Sequence, residues 1–207
     1  YMALVKYNNN SISAVTAAAS MSSGAMTLIK TLTASSSATL SFLNGSDSVV
    51  FDGTYPIYVF KFIDIHPATD GALFSFQTDT GTNTSYNQTM TTTFFTSIGS
   101  EDGSEGSLGY QTGDDQAQGT AFQRLMDIGN ANDECGVGEL TIFNPSSTTF
   151  VKHFISRVQM YENGNRTMDK YIAGYFNTTT ALTRVQFKFN SGNIDSGKIK
   201  LYGIKDS

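Results

Sequence analysis

The stretch from Tyr55 to Gln77 constrains the fold more than any other part of the chain. Its sequence, YPIYVFKFIDIHPATDGALFSFQ, contains two runs of aromatic and β-branched residues, each of strand length. Pro67 and the Asp70-Gly71 pair stand between the two runs and are typical of a turn. The pattern predicts a central β-hairpin. Both faces of its first run are largely apolar, which predicts a strand that is covered on both sides.

Short strand-like runs recur along the rest of the chain and end at turn-forming residues. The clearest alternation places Val185, Phe187 and Phe189 on one face, with polar and charged residues between them. Residues 121–128, AFQRLMDI, are too few for periodicity to separate a helical turn from a strand. Because only 15% of the residues are charged and 12% are aromatic, the composition also favours strands joined by polar turns. We predict an all-β protein with about ten strands in a two-sheet jelly-roll sandwich.

The N-terminal part of the chain differs from the rest in composition. Residues 1–26 open with a short β-prone run and continue into a stretch rich in Asn, Ser, Ala and Met, which has little capacity to form a core. They are interpreted as an N-terminal arm or attachment segment, and an edge strand followed by a surface loop is the alternative. Residues 27–207 are predicted to form a single β-sandwich domain, for which their number is normal.

Charge is distributed unevenly between the two parts of the chain. Residues 1–150 carry 4 basic and 14 acidic side chains, whereas residues 151–207 carry 9 basic and 4 acidic ones. The basic side chains either form a docking surface for an acidic partner or lie on solvated strand faces and pair with acidic loops; their alternation with apolar residues favours the second interpretation. The net charge of -5 argues against nucleic acid as a partner.

The single cysteine, Cys135, excludes an intrachain disulfide and indicates synthesis in a reducing cytosol. No apolar run approaches the length of a membrane span, and the N-terminus lacks the pattern of a signal peptide. We therefore expect a soluble protein with no membrane partner.

Motifs for catalysis, metal binding or cofactor binding are missing from the sequence. His66 and His153 stand far apart and outside any metal-binding spacing, so structural roles are expected for both. Cys135 follows Asp133 and Glu134, whose negative charges would raise the pKa of its thiol and disfavour the nucleophilic thiolate. No phosphate-binding loop, dinucleotide fingerprint or serine-hydrolase motif occurs. We predict a non-enzymatic protein with no cofactor, no catalytic residues and no metal.

Residues 97–120 are predicted to form a long loop, with six glycines and five acidic residues. Carboxylates can accept hydrogen bonds from sugar hydroxyl groups, and this loop supports a lectin-like, carbohydrate-binding or receptor-binding alternative. A glycosidase, which needs two facing carboxylates, is a further alternative, but these acids stand among glycines where no regular strand would align them. The same acids could bind calcium, although a solvated acidic loop is the preferred interpretation. The candidate ligand-binding residues are Glu101, Asp102, Tyr110, Asp114 and Asp115.

Several stretches resemble virion structural proteins of marine tailed bacteriophages, especially of short-tailed cyanophages. They are YVFKFIDIHPATDGALFSFQ followed by TMTTTFF, the terminal FKFNSGNIDSGKIKLYGI, and the opening MALVKYNNNSIS with LIKTLTASSSATLSF after it. The resemblance covers nearly the whole chain, and its motifs are descriptive rather than catalytic. It implies a concanavalin-like jelly roll displayed on the particle, either as a knob or decoration on the capsid or as part of the tail.

A virion location suggests roles for the arm and for the loops. Leu4, Val5 and Tyr7 precede a polar tether and are the candidate residues for attachment to the virion. The expected partners are other virion proteins of the capsid shell or tail, with a host-surface glycan as a further candidate. A homo-oligomer would also fit such a role, because weak individual attachments to the virion gain strength when they are linked. The chain would be made in the host cytoplasm and displayed on the virion surface.

Overall fold

A computed structural model describes residues 25–206, which contain twelve β-strands and no helix. The predicted arm lies almost wholly outside these residues, as do Leu4, Val5 and Tyr7, so the arm stays a prediction. The part of the chain that the structure describes includes no helix that is long and apolar enough to span a membrane. The strands are β1 (Met26–Thr33), β2 (Leu40–Leu43), β3 (Ile57–Pro67), β4 (Ala72–Thr80), β5 (Met90–Ser100), β6 (Gly106–Tyr110), β7 (Gln123–Ile128), β8 (Gly136–Phe143), β9 (Lys152–Glu162), β10 (Arg166–Phe176), β11 (Leu182–Phe189) and β12 (Ile194–Ile204).

The strands form two antiparallel sheets that pack as a jelly-roll-like sandwich, which confirms the predicted fold class. The larger sheet has eight strands in the order β1-β12-β3-β8-β9-β10-β5-β6, and the smaller has four in the order β2-β11-β4-β7. The structure has two strands more than the ten that we expected. It shows that AFQRLMDI contributes a strand, β7, which pairs with β4.

The central hairpin predicted from the sequence is wrong, because β3 and β4 belong to different sheets. β3 pairs with β12 and β8, whereas β4 pairs with β11 and β7. The chain between them crosses from one sheet to the other, so that the aromatic faces of both strands meet in the core; the ring centroids of Phe62 and Phe74 are 5.5 Å apart. The Asp70-Gly71 pair correctly marks a turn, with Gly71 at a positive φ of 62°. A turn signal locates a reversal of the chain but does not specify whether the strands remain in one sheet.

Aromatic side chains fill the space between the two sheets. Phe187 of β11 lies at the centre, with its ring 5.3 to 6.3 Å from those of five other phenylalanines, which are Phe42, Phe60, Phe62, Phe74 and Phe76. The inward positions of Val185, Phe187 and Phe189 are confirmed, since all three side chains are buried. Such aromatic burial supplies much of the hydrophobic stabilisation of a sandwich.

β3 is fully covered on its inner face only, which corrects the prediction of a strand covered on both sides. Tyr58 and Phe60 are fully buried, whereas on the other face Val59 is buried and Ile57, Lys61 and Ile63 are partly exposed. That other face belongs to the surface of the larger sheet that is turned away from the smaller sheet, and we call this surface the outer face. In a two-sheet sandwich each sheet has only one face in the core.

A β-bulge in β3 maintains the inward orientation of side chains beyond Ile63. Asp64 adopts a positive φ of 51°, and Phe62 and Ile65 consequently both point into the core. Gly197 of β12 lies opposite with φ 116°, and a Cβ atom there would be 2.6 Å from the carbonyl oxygen of Asp64. The bulge therefore requires glycine at position 197.

Residues 97–120 do not form one long loop, so that prediction is also wrong. β5 continues to Ser100, the chain turns at residues 101–105, and β6 then pairs with β5. The Gly- and Ser-rich sequence of β6 lacks the apolar alternation of a buried strand, and it is held in the sheet by backbone pairing with β5. Sequence periodicity reports side-chain burial and misses a strand whose side chains stay outside the core.

Two of the basic side chains that we expected on solvated strand faces point inward instead. Lys152 and Lys170 are 0% and 2% exposed, respectively. Lys152 Nζ donates to the carbonyl oxygens of Phe150 and Thr178, at 3.2 Å each, and burial lowers the pKa of its ammonium group. Lys152 is the first residue of β9 and Lys170 lies in the middle of β10, and each flexible side chain reaches a polar partner.

Candidate functional site

The exposed hydrophobic side chains are concentrated on the outer face of the larger sheet. Nine large hydrophobic side chains are exposed among residues 25–206, and strand pairing places seven of them on this face. Isolated exposed hydrophobic residues are common, but neighbouring ones on one surface indicate a contact site. Five of the seven lie on the neighbouring strands β9, β10, β5 and β6, and the two others lie on β1 at the opposite edge. The seven are Met26, Leu28, Phe95, Leu108, Tyr110, Ile155 and Tyr171.

Three aromatic residues on neighbouring strands lie side by side near the β6 edge of this face, and we call them the aromatic row. In the register of the sheet, Tyr110 of β6 is opposite Phe95 of β5, which is opposite Tyr171 of β10. Each side chain is 42 to 43% exposed, so each presents a large part of its ring to solvent. The rings of Phe95 and Tyr110 meet edge to face, with their centroids 5.1 Å apart. This packing orders the row without burying it.

The same cross-strand line continues from the aromatic row into charged side chains. Arg157 of β9 follows Tyr171, and its guanidinium carbon is 5.0 Å from the centroid of the Tyr171 ring. Glu139 of β8 and Lys61 of β3 come next in register and form an ion pair with each other. One continuous line across the sheet is therefore aromatic near the β6 edge and charged near its middle.

Asp169 orders the junction between the aromatic and the charged residues. Its carboxylate accepts a hydrogen bond from Arg157 Nη2 at 2.8 Å and another from the Tyr171 hydroxyl at 3.0 Å. Both hydrogen bonds raise the pKa of their donor, so Arg157 stays charged and Tyr171 stays protonated across a wide range of pH. The junction offers fixed polar groups beside an apolar surface.

A shallow depression of about 410 Å³ adjoins the aromatic row on the outer face. Thr91, His153, Ile155 and Tyr175 contribute to its lining, and the rings of His153 and Tyr175 are 6.0 Å apart. Hydroxyl, imidazole and aromatic groups in one recess are suited to hydrogen bonding and stacking with a small polar ligand. His153, for which the sequence predicted only a structural role, therefore lies on the surface of this recess.

The candidate residues of the 97–120 segment fall into two separate groups. Glu101 and Asp102 lie in the turn between β5 and β6, whereas Asp114 and Asp115 follow Tyr110 beyond the other end of β6. The structure thus does not bring the five residues together in one ligand-binding loop. Of the five, Tyr110 alone belongs to the aromatic row. Its partners Phe95 and Tyr171 have no signal in the sequence, because their proximity to Tyr110 depends on sheet order.

The first group lines a recess of about 420 Å³ between two turns. Asp102 accepts hydrogen bonds from the Ser104 backbone N–H at 2.9 Å and the Ser100 hydroxyl at 2.8 Å, and hydrogen bonding by these two serines lowers its pKa to about 2. Glu105 pairs with Arg166 at 3.1 Å across the recess. The local hydrogen bonds of Asp102 are those of a structural turn.

The second group, Asp114 and Asp115, is held in place by contacts with neighbouring side chains. Asp115 accepts a hydrogen bond from the Tyr110 hydroxyl at 2.5 Å, and Asp114 pairs with Arg124 at 2.5 Å. No cluster of three or more His, Cys, Asp or Glu residues within the described range is arranged to hold a metal ion. A glycosidase needs two carboxylates that face each other across a groove, and this function stays an untested alternative to the predicted non-enzymatic role.

A partly buried ion network links β7 of the smaller sheet to β10 of the larger sheet. Lys170 Nζ is 2.8 Å from Asp127 Oδ2, and Asp127 also pairs with Arg124, which in turn binds Asp114. Burial lowers the pKa of Lys170, and the charge of Asp127 partly offsets that effect. The sequence carried one signal for this network, because Lys170 alternates in phase with the inward-facing Ile172.

Comparison of the chain with protein-family models, with curated proteins and with solved structures finds no match. The fold and the outer face are therefore the observations from which a function can be inferred.

Proposed function

We propose that this chain is a non-enzymatic surface protein of a bacteriophage particle, either a capsid decoration or knob or a component of the tail. The observation that carries the proposal is the concentration of exposed hydrophobic side chains on the outer face of the larger sheet. A surface of this kind is suited to contact with another macromolecule. The resemblance of the sequence to virion structural proteins of marine tailed phages supports the virion as the setting.

The rest of the fold is consistent with a structural role on a particle. The core is rich in interlocking aromatic rings, and the strands are joined by turns that are themselves hydrogen-bonded, as at Asp102. Such a sandwich presents a rigid surface at little conformational cost on binding. We propose that the aromatic row contacts a neighbouring protein of the capsid shell or tail.

The second candidate is a lectin-like module that binds a host-surface glycan, and the arrangement of the aromatic row favours it. Phe95, Tyr110 and Tyr171 offer ring faces and edges for the apolar surfaces of sugar rings, and Asp169 and Arg157 offer hydrogen-bonding groups beside them. In this second candidate function, the glycan-binding site lies on the outer face of the larger sheet and not in the 97–120 segment as a whole.

Mass spectrometry and antibody labelling of purified particles of the phage that encodes the chain test the proposal. We expect the chain among the particle proteins in a fixed copy number, with the antibody bound at the particle surface. Its absence from purified particles would refute the proposal.

Hydroxyl-radical footprinting separates the two candidates, because the radical oxidises exposed aromatic side chains. If the aromatic row contacts a virion protein, oxidation of Phe95, Tyr110 and Tyr171 will be lower in the particle than in the isolated chain. If these three residues are oxidised equally in the particle and in the isolated chain, they do not contact a virion protein. The lectin-like module is then favoured if the isolated chain also binds on a glycan array and Tyr171→Ser abolishes that binding. Leu43→Ser, at an exposed residue of the smaller sheet, is the matched control for that array.

A further inference from the structure

β6 forms one edge of the larger sheet, and its exposed side has none of the usual protection against pairing with another strand. Its five residues, Gly106 to Tyr110, include no charged residue and no proline. Leu108 at its midpoint is 75% exposed, the highest value among the exposed large hydrophobic residues of the described chain. Natural edge strands are generally blocked by Lys, Pro or a bulge, because an open edge pairs readily with a further strand.

The register with β5 determines which backbone groups of β6 are free. Gln111 N–H donates to the Phe94 carbonyl at 2.8 Å, and Ser100 N–H donates to the Glu105 carbonyl at 3.0 Å. Hydrogen-bonded pairs alternate along an antiparallel ladder, so the residues of β6 that bond to β5 have odd numbers. The N–H and C=O groups of Gly106, Leu108 and Tyr110 therefore point away from β5.

These three residues are symmetric about Leu108. We propose that β6 pairs antiparallel with β6 of a second copy of this chain, with Leu108 on the two-fold axis, and so joins two larger sheets into one. Leu108 would then be opposite Leu108 of the second copy, and Gly106 opposite Tyr110. Each hydrogen bond uses one N–H of one copy and one C=O of the other, so three residues from each copy form six bonds. The interface is isologous, as a two-fold dimer requires.

The side chains on the outer face fit the same register. Gly106 leaves space where the Tyr110 ring of the second copy would lie, and an aromatic ring over a glycine stabilises an edge pair. The two Leu108 side chains would cover each other beside the two copies of the aromatic row. The dimer would thus present a doubled aromatic row on one continuous face, and it does not depend on the proposed virion role.

The small size of the contact predicts a weak dimer. A strand of five residues is roughly 17 Å long, and pairing along that length buries much less than the roughly 1,200 Å² of a stable interface. The acidic turn at residues 101–105 of one copy would also lie near Asp114 and Asp115 of the other. Repulsion between these acids is screened by salt, so the dimer should strengthen as ionic strength rises.

Analytical ultracentrifugation of the full chain over a range of concentrations and at low and high salt tests the inference. We expect a monomer–dimer equilibrium that shifts toward dimer at high salt. Leu108→Pro removes an N–H that faces away from β5, so the fold should persist while two of the six intermolecular bonds are lost. The dissociation constant should then rise about tenfold or more.

Leu108→Lys and Leu28→Lys form a matched pair, because both residues are exposed on the outer face and lie on opposite edge strands of the same sheet. We expect the first substitution to abolish the dimer, since it places two ammonium groups against each other, and the second to leave it unchanged. Thermal unfolding of each variant reports whether the fold is retained.

Amide hydrogen exchange locates the interface. Exchange at Gly106, Leu108 and Tyr110 should slow as protein concentration rises, whereas exchange along β1 should not change. A chain that stays monomeric at millimolar concentration and high salt would overturn the inference. So would a dimer whose dissociation constant is the same in wild type and Leu108→Pro.

Discussion

Removal of Asp127 should destabilise the protein far more than removal of its partner Lys170. Lys170 is 2% exposed, and its Nζ atom is 2.8 Å from Asp127 Oδ2. Asp127→Ala leaves that ammonium group buried without its nearest counter-charge, and breaking a buried pair in this way costs about 3–5 kcal/mol. Lys170→Met keeps the length of the side chain and removes the buried charge, while Asp127 retains Arg124 as a partner. We expect the stability of that variant to lie within about 1 kcal/mol of the wild type.

Urea denaturation of the two single variants and of the double variant measures this asymmetry. The double variant should recover most of the stability lost in Asp127→Ala, because no unpaired ammonium group remains; the coupling energy should be about 2 kcal/mol or more. Asp169→Ala removes the carboxylate from the exposed Arg157 pair and should give a much smaller loss, so it serves as the control. Equal and additive losses in the two single variants would show that Lys170 reaches solvent and does not depend on Asp127 for its counter-charge.

Three further perturbations test the core, the bulge and the β5–β6 turn. Phe187→Ala should lower the free energy of unfolding by about 3–5 kcal/mol, because this ring packs against five others; a loss below about 1 kcal/mol in a urea titration would contradict the assigned core. Gly197→Ala should cost about 2 kcal/mol or more, since its Cβ would meet a carbonyl oxygen at 2.6 Å, whereas Gly53→Ala has open space around it and should be nearly neutral in the same titration. Ser100→Ala removes the hydroxyl that donates to Asp102 and should raise the pKa of Asp102 from about 2 toward 3.8, as followed by carboxyl NMR; the lowered pKa stabilises the fold above pH 3.8, and that contribution is lost as pH falls toward 2. An unchanged Asp102 titration would show that the serine hydroxyl does not contribute.

Side-chain alternation predicted which residues enter the core but not which strands become neighbours. Val185, Phe187 and Phe189 are buried as expected, because alternation follows directly from the two-residue period of a strand. The pairing of β3 with β12, across more than a hundred residues, has no local signal in the sequence. The predicted β3–β4 hairpin is wrong for this reason, because strands that are adjacent along the chain need not be adjacent in a sheet.

The candidate site was only partly accessible from the sequence for a related reason. Tyr110 stood out as the one aromatic residue in an acidic, glycine-rich segment, but its neighbours Phe95 and Tyr171 come from β5 and β10. Their exposure was also concealed, because an aromatic residue in a strand is expected to face the core. The acidic residues that suggested a ligand-binding loop fall into two places and take part in turn hydrogen bonds and ion pairs, as at Asp102 and Asp114.

A reconstruction of the phage particle at side-chain resolution tests the central claim most directly, namely that this chain is a virion surface protein that binds through the outer face of its larger sheet. We expect density for the sandwich on the capsid or tail, with Phe95, Tyr110 and Tyr171 covered by a neighbouring protein. A particle without this chain, or one in which the sandwich is attached through the smaller sheet and nothing contacts the outer face, would contradict it.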